Sequence, residues 1–310
     1  MTISLLIAAL TVAFPREGAK LPFVERCYII GSVPPGITNV MVQGRPATVH
    51  SLGGWVAMAD LTVGSNSVSV TSVDHSFSST QEVKRVLYVA PKPSVSSSIA
   101  SAVKKYNKLD FAGDEPKPHP INSKSVMPVA VIDPGHGGPS DMGAVSPHSL
   151  PEKDANLRLS KIVAKELEKR GWRVVLTRTN DVAISLFDRP KVAHRENADV
   201  FVSIHHNAPP FDKDPREFRY HCVYAWNDIG KSVATRVNAK MAAALAEKVK
   251  NNGVLHANYA VTRNPEIPSC LIEIDFITVP EGELDSWNRQ RQELLSVAIA
   301  DGLDEWRRNP

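Results

Sequence analysis

The distribution of apolar residues divides the chain into two halves with different periodicity. In the first half, short segments alternate between apolar and polar residues, as at Trp55, Ala57 and Ala59, and glycines such as Gly44 separate the segments. A period of two is typical of half-buried strands, and the glycines are suited to the turns between them. The pattern predicts a small antiparallel β-sandwich over residues 11–91.

From residue 128 onward, continuous apolar strands alternate with amphipathic helices. The predicted strands are VAVID, RVVLTR, DVFVSIHH, HCVYAW and SCLIEIDFI. The predicted helices cover residues 152–170, 185–198 and 231–250, and a terminal helix runs through Trp306. This alternation predicts an α/β domain over residues 128–310, with a mixed, mostly parallel sheet flanked by helices.

Two segments lie outside these predicted domains. Residues 92–127 are rich in proline, serine and lysine and have no sustained period, which is typical of a linker. The first residues, MTISLLIAALTVAF, are apolar over too short a length to span a bilayer, which takes about 20 residues. We therefore expect no transmembrane segment and interpret residues 1–14 as a secretory signal, with a first β-strand near Val12 as the alternative. Export would place the protein in the periplasm or at the cell wall.

Composition and charge exclude some function classes. A content of 43% hydrophobic and 22% charged residues is ordinary for a soluble globular protein. The net charge of +3 is spread along the chain, so we expect no nucleic-acid partner. The cysteines Cys27, Cys222 and Cys270 are odd in number and widely separated, which predicts buried free thiols rather than disulfides or a zinc ribbon.

Three candidate metal ligands lie close to the predicted strand ends. His136 follows VAVID within the glycine-rich segment VIDPGHGGPSD, Glu152 begins the next helix, and His205 ends DVFVSIH. In open α/β sheets, ligands bind outside the carboxyl ends of the parallel strands. Two histidines and one glutamate that leave a coordination position open are a set that catalytic zinc prefers.

Each of these residues also has a structural alternative. Glu152 completes an S-x-x-E capping box with Ser149, in which the glutamate folds back onto the helix start. His136 alone could be a loop histidine held by a backbone carbonyl. His205 and His206 point to opposite faces of a strand, so at most one of them joins the same metal.

Five segments carry a resemblance to a known family, in the order DPGHGGPSDMGA, LPEKDANL, VVLTRTNDVAISLFDR, ADVFVSIHHNA and LIEIDFI. Over about residues 129–305 the chain resembles the zinc-dependent N-acetylmuramoyl-L-alanine amidases of the amidase-3 family. The resemblance implies that His136, Glu152 and His205 are zinc ligands and that Glu273 is the catalytic carboxylate. It also implies hydrolysis of the amide between the lactyl group of muramic acid and the first L-alanine of the peptidoglycan stem.

Glu273 lies in the otherwise apolar segment CLIEIDFI. An unpaired carboxylate is costly to bury there, and beside an activated water it could take up a proton and deliver it to the leaving amine. The alternative is a buried ion pair with Arg263. Asp275 would point the same way along a strand and could compete for the role. Asp275 and Val279 also depart from the family pattern, which usually has glycine and asparagine at these positions.

The other polar candidates are predicted to have supporting roles. His206 is expected to pack, and Asn207 to orient a ligand through an outer hydrogen bond. The remaining histidines are predicted to be structural or surface residues: His50, His75, His148, His194, His221 and His256.

The sequence therefore predicts a zinc amidase for cell-wall remodelling or cell separation, with peptidoglycan and a protein activator as candidate partners. The β-sandwich resembles the immunoglobulin-like modules appended to bacterial cell-surface enzymes, and we expect it to position the enzyme. The short segment APPFDKDPREFRYH predicts an open groove.

Three alternative functions belong to other classes. One is a non-catalytic wall-binding scaffold, and another is a zinc amidohydrolase or peptidase that acts on a different amide. A dinucleotide site at GHGGPS is disfavoured because Pro139, Asp141 and Gly143 interrupt the helix that such a motif needs.

Overall fold

The computed structural model describes residues 9–74, 79–92, 127–246, 249–264 and 266–308. His75, residues 1–8 of the predicted signal and residues 93–126 of the predicted linker lie outside these ranges. Within the described ranges, none of the helices combines the length and the apolar character that crossing a bilayer requires.

The N-terminal domain consists of two sheets that share one core. Its strands are β1 (Thr11–Phe14), β2 (Lys20–Leu21), β3 (Arg26–Ser32), β4 (Asn39–Val42), β5 (Arg45–Pro46), β6 (Thr48–Val49), β7 (Gly54–Asp60), β8 (Gly64–Asp74) and β9 (Ser79–Val89). The sheet orders are β1-β3-β7-β6 and β2-β9-β8-β4-β5. Trp55, Ala57 and Ala59 point into the shared core, as their period of two predicts.

The first strand overlaps the last residues of the predicted signal. β1 pairs antiparallel with β3, with Val12 opposite Gly31, and Val12 is buried. Residues paired and buried in a sheet are part of the folded domain, so a signal ending at residue 14 would remove its first strand. The alternative, a strand near Val12, describes residues 11–14 correctly.

The C-terminal domain is a layered α/β fold. Its elements are β10 (Val129–Pro134), α1 (Glu152–Lys169), β11 (Arg173–Leu176), α2 (Arg189–Arg195), β12 (Val200–Asn207), β13 (Tyr220–Ala225), α3 (Asp228–Leu245), β14 (Lys250–His256), β15 (Ser269–Phe276), α4 (Pro280–Trp287) and α5 (Arg289–Arg308). The sheet order is β11-β10-β12-β15-β13-β14, and the β13–β15 pair is antiparallel. The other neighbouring pairs are parallel, which confirms the predicted mixed, mostly parallel sheet.

Helices cover both faces of this sheet. Ala130 and Ile132 of β10 face the core formed with α1, α3 and α5. Val131, between them, faces the opposite core, which includes Val192 and Ala193 of α2. A strand buried on both faces needs apolar residues at every position, which explains the continuous apolar segment VAVID.

Two helix predictions are wrong at their ends. The helix predicted over residues 231–250 is Asp228–Leu245, and Lys250 begins the edge strand β14. Ala246 follows α3 with a φ of 49°, a left-handed conformation that ends a helix. The helix predicted over residues 185–198 is Arg189–Arg195, whereas the predicted terminal helix through Trp306 is confirmed as Arg289–Arg308.

The two domains contact each other through the β1-β3-β7-β6 sheet. The backbone N–H of Tyr28 donates to the carbonyl of Phe211 at 3.1 Å, and Nε of Arg26 donates to the carbonyl of Asp212 at 3.0 Å. Val145 packs against the apolar cluster that contains Tyr28. The β-domain therefore lies beside the loops at the carboxyl ends of the α/β sheet.

Candidate active site

Two neighbouring parallel strands and one helix start bring three candidate ligands together. His136 follows β10, His205 lies near the end of β12, and Glu152 is the first residue of α1. One ligand atom from each lies within 4.8 Å of the others. Nε2 of His136 is 3.2 Å from Oε2 of Glu152, and Nδ1 of His205 is 3.1 Å from Oε1 of the same carboxylate. The predicted ligand set therefore converges in space.

Two glycines let the backbone approach this cluster closely. A Cβ at position 135 would lie 2.3 Å from the ring of His205, and a Cβ at Gly143 would lie 2.5 Å from Oε2 of Glu152. Neither position can carry a side chain without moving a candidate ligand. Two imidazoles and one carboxylate, held this tightly around one point, are donors suited to a zinc ion.

The carboxylate of Glu152 does not cap its own helix. The N-cap of α1 is Pro151, which makes no side-chain capping bond, and Ser149 has a φ of 62°. Instead, Oε2 of Glu152 accepts the N–H of Ala144 at 2.9 Å, and Oε1 accepts Nδ2 of Asn156 at 3.0 Å. The capping-box alternative is therefore wrong, and these bonds hold the carboxylate against the two histidines.

The charges of the cluster support one another. Burial alone would raise the pKa of Glu152, but hydrogen bonds and charge from His136 and His205 outweigh it and hold that pKa well below its ordinary range. Burial lowers the pKa of His136, whereas Glu152 and Asp141 raise it, with a net value of about 9. Nδ1 of His136 lies 2.6 Å from Oδ1 of Asp141. Because a ligand imidazole must be neutral, metal binding would release the proton of His136.

Glu273 lies beside the cluster on the adjacent strand β15, opposite His205 in the register. Its Oε2 is buried and has no hydrogen-bond partner among the described residues. Burial, and next the charge of Glu152, raise the pKa of Glu273 well above its ordinary range. The ion pair proposed with Arg263 does not form, because Nε of Arg263 donates to Oδ1 of Asn258 at 2.6 Å.

Asp275 is excluded as a competing proton-transfer group. Its carboxylate is fully buried and forms ion pairs with Arg219 at 3.0 Å and with Arg291 at 3.1 Å. The register between β12 and β15 shifts after the pair formed by His205 and Glu273. Because this irregularity breaks the strict alternation of the strand, the expectation that Asp275 acts at the same site is wrong. Val279 lies just before α4 and does not line the cleft described below.

Two buried arginines that the sequence analysis did not single out support the histidine loop. Arg189 pairs with Asp133 at 2.9 Å and donates from Nη2 to the carbonyl of His136 at 2.9 Å. Arg178 donates from Nη2 to the carbonyl of Gly135, also at 2.9 Å. Their only sequence signal was their place in the segment VVLTRTNDVAISLFDR.

The remaining predicted residues have identifiable surroundings. His206 is buried, its Nδ1 lies 2.8 Å from Oδ1 of Asn156, and burial lowers its pKa to about 3. It also lines the cleft described below, so its packing role stays a prediction beside the alternative of substrate contact. Oδ1 of Asn207 accepts the N–H of Ala208 at 2.8 Å, and a ligand-orienting role for Asn207 stays a prediction. His148 and His194 lie beside glutamates, His221 and the three cysteines are buried, His50 is half-buried, and His256 is exposed.

A cleft of about 660 Å³ opens over the cluster. Its lining includes Glu273 and the three candidate ligands. The segment predicted to leave the groove open, residues 208–221, contributes Ala208, Pro209 and Phe211 to the same lining. Phe14, Arg16, Ala19 and Tyr28 of the β-domain complete it, and the sequence analysis assigned no site residue there.

The fold and the site together define a class of protein. A metal-ligand cluster and a buried carboxylate, at the carboxyl ends of parallel strands, are the arrangement of a metal-dependent hydrolase. The described loop over residues 135–151 contains no helix, which also removes the dinucleotide-site alternative. Residues 130–305 match the sequence profile of N-acetylmuramoyl-L-alanine amidases, and the chain belongs to this family.

Individual relatives agree with the family assignment. The "Probable cell wall amidase LytH" of Staphylococcus epidermidis is 34% identical over 192 residues, which cover 61% of this chain and 60% of that protein. The solved amidase AmiC2 of Nostoc punctiforme is 36% identical, with a TM-score of 0.55, and the match covers 59% of this chain and 98% of that one. An N-acetylmuramoyl-L-alanine amidase from Clostridium difficile 630 is 34% identical, with the same TM-score of 0.55 and the same coverage of 59% and 98%.

Proposed function

We propose that this chain is a zinc-dependent N-acetylmuramoyl-L-alanine amidase that hydrolyses the amide between muramic acid and the first L-alanine of the peptidoglycan stem. The observation that carries the proposal is the convergence of His136, Glu152 and His205 beside Glu273. The family assignment gives the substrate class, and these four residues line a cleft of about 660 Å³.

In this mechanism, His136, Glu152 and His205 hold the ion, and Glu273 moves the proton. A zinc ion bound there would supply Lewis acidity to the scissile carbonyl and to a water molecule. Glu273 takes a proton from that water as its oxygen attacks the carbonyl carbon. Glu273 then gives the proton to the amide nitrogen, the C–N bond breaks, and L-alanine leaves as an amine.

The environment of Glu273 suits both halves of this proton transfer. Burial and the neighbouring Glu152 raise the pKa of Glu273 above its ordinary range, which makes its ionised form a stronger base than an exposed glutamate. The unpartnered Oε2 can accept a hydrogen bond from water. By contrast, the carboxylate of Asp275 is already engaged in ion pairs with Arg219 and Arg291.

The proposal is tested by replacing Glu273 with glutamine and measuring soluble peptide released from purified sacculi. The amide keeps the size of the side chain but cannot take up the proton, so we expect release to fall about 10²- to 10⁴-fold while bound zinc is retained. The matched control is Glu281→Gln, an exposed glutamate outside the cleft, which should behave as wild type.

The same experiment separates the alternatives. A wild-type protein that binds zinc and releases nothing from sacculi would support a wall-binding scaffold. Release of fragments whose new amino terminus is not the first L-alanine would support a zinc amidohydrolase or peptidase that acts on another amide.

Several features of organisation and location are part of the proposal. The β-domain would be an immunoglobulin-like sandwich joined by a linker over residues 92–127 to the catalytic domain over residues 128–310. The protein would be exported to the periplasm or cell wall, where a protein activator is a candidate partner. Cell fractionation tests the location, and recovery of the whole chain in the cytoplasm would contradict it.

A further inference from the structure

The β-domain forms one wall of the candidate catalytic cleft. Phe14, Arg16, Ala19 and Tyr28 share the cleft with the metal-ligand cluster and Glu273. A domain that served only as a tether would not have to line the cleft that contains the catalytic residues. Its presence at the cleft indicates that it contacts the substrate.

Aromatic stacking fixes this wall against the catalytic domain. The ring of Phe14 stacks on Tyr28, with centroids 4.9 Å apart, and on Phe211, with centroids 5.7 Å apart. The N–H of Tyr28 also donates to the carbonyl of Phe211 at 3.1 Å. We call Phe14, Tyr28 and Phe211 the aromatic shelf. It spans both domains: Phe14 and Phe211 present apolar surface to the cleft, and the buried Tyr28 lies behind them.

Arg16 is the positively charged residue among the β-domain residues that line the cleft. Among the described residues, it is the one arginine that lines the cleft, and no lysine does, whereas Asp141, Glu152 and Glu273 are acidic. Its guanidinium contacts Sδ of Met142 and has no carboxylate partner within the described part of the chain. Arg16 is exposed, so most of its N–H donors are available to a ligand.

We propose that Arg16 and the aromatic shelf bind the stem peptide, and that Arg16 pairs with one of its free carboxylates. This inference rests on the proposed function, because that function brings the stem peptide to the cleft. A stem peptide presents carboxylates and small apolar side chains, which match a guanidinium beside an apolar shelf. An uncharged glycan strand offers no such partner for Arg16, so the peptide is the better occupant.

The test uses two soluble muropeptides, one with free stem carboxylates and one with those carboxylates amidated. For the free-carboxylate substrate, we expect Arg16→Gln to raise KM about tenfold with kcat nearly unchanged, because one charge-assisted hydrogen bond is lost. For the amidated substrate, wild type and Arg16→Gln should have the same KM. Arg16→Lys should recover part of the effect, since it restores the charge without the bidentate geometry.

Arg45→Gln is the matched control, because Arg45 belongs to the same domain, is exposed and does not line the cleft. Equal KM values for the Arg16 and Arg45 variants would overturn the inference. An equal loss on both substrates would also overturn it and would indicate contact with the glycan or a structural role.

Calorimetric affinities of the two muropeptides, measured in the Glu273→Gln background with and without Arg16→Gln, decide the question without turnover. A carboxylate-dependent loss of affinity, together with a wild type that hydrolyses neither substrate, would support the inference while contradicting the proposed function. Turnover that does not depend on Arg16 would support the proposed function and contradict the inference.

Discussion

Gly135 sets the distance between the loop backbone and the ring of His205. A Cβ there would lie 2.3 Å from two atoms of this ring, which is closer than any real contact. The same glycine's carbonyl accepts a hydrogen bond from Arg178 at 2.9 Å, which restricts movement of the loop away from the ring. His205 would therefore have to move instead.

Gly135→Ala tests this constraint. Displacing one of three ligands should weaken zinc affinity by at least about tenfold, a loss comparable to that of removing an outer partner of a metal ligand. Competition with a chelating dye measures the affinity, and the melting temperature shows whether the fold persists. A variant with wild-type zinc affinity would show that the ring of His205 does not occupy its ligand position.

At the scale of single residues, the sequence predicted which candidate ligands come together better than it predicted the side chains that surround them. His136 and His205 were predictable because a buried strand leads to each of them. Glu152 was ambiguous, since its S-x-x-E spacing fits a capping box equally well, and the structure removes that alternative by placing the N-cap at Pro151 and Ser149 at a φ of 62°. Asp275 was misjudged because a register shift and two distant arginines, Arg219 and Arg291, are invisible to local periodicity.

Helices α3 and α5 pack closely at Gly302. A Cβ at this position would lie 2.6 Å from Cα of Val237 and 2.9 Å from its backbone nitrogen. The nearest atoms belong to the backbone of α3 and not to a flexible side chain. The glycine thus allows two helices of the larger core to approach each other.

Gly302→Ala should destabilise the protein, although alanine is the better helix former by about 1 kcal/mol. Overpacking at a backbone contact costs about 1–3 kcal/mol. This cost exceeds the gain in helix propensity when α5 cannot shift away from α3. Urea unfolding gives the change, and Leu294→Ala, an exposed position of α5, is the control. A more stable Gly302→Ala protein would indicate that the two helices can separate easily.

Element types were predictable where the apolar pattern is long, and element ends were not. The helix predicted over residues 152–170 is nearly correct because its buried residues, including Val163 and Leu167, keep a helical spacing. The end of α3 was missed because β14 depends on pairing with β13, a contact that no local pattern reveals.

His148 connects the two domains because one ring nitrogen contacts a carboxylate of its own domain and the other contacts a backbone carbonyl of the β-domain. Its Nδ1 lies 2.6 Å from Oε2 of Glu283 in α4, and its Nε2 lies 3.2 Å from the carbonyl of Leu52 in the β-domain. Both ring nitrogens can donate only when the imidazole is protonated. Burial alone would lower the pKa of His148, but the bond to Glu283 outweighs it and raises the pKa above 6.5.

This shift predicts that the contact depends on pH. A folded pKa above the unfolded value of 6.5 means that the stabilisation is fully present below pH 6.5 and is lost as pH rises through the folded pKa. The free energy of unfolding of His148→Gln should therefore be lower than that of wild type in mild acid, and the difference should shrink in alkali. His256→Gln, at an exposed histidine, is the control. A difference that stays constant with pH would contradict the assignment of the charge to His148.

The contact between the two domains could not be predicted from the sequence. The β-domain was predicted only as a positioning module, yet Phe14 and Tyr28 line the cleft. Their contacts with Phe211 join residues almost two hundred positions apart, and alternation within a strand says nothing about which outer face meets another domain.

The central claim is that His136, Glu152 and His205 share one zinc ion. Diffraction from crystals of the zinc-loaded protein, recorded at the zinc absorption edge, tests it most directly. The account predicts one anomalous peak at about 2.0–2.2 Å from the ligand atoms of these three side chains. A zinc-loaded crystal with no peak there, or with its peak on other residues, would contradict the account.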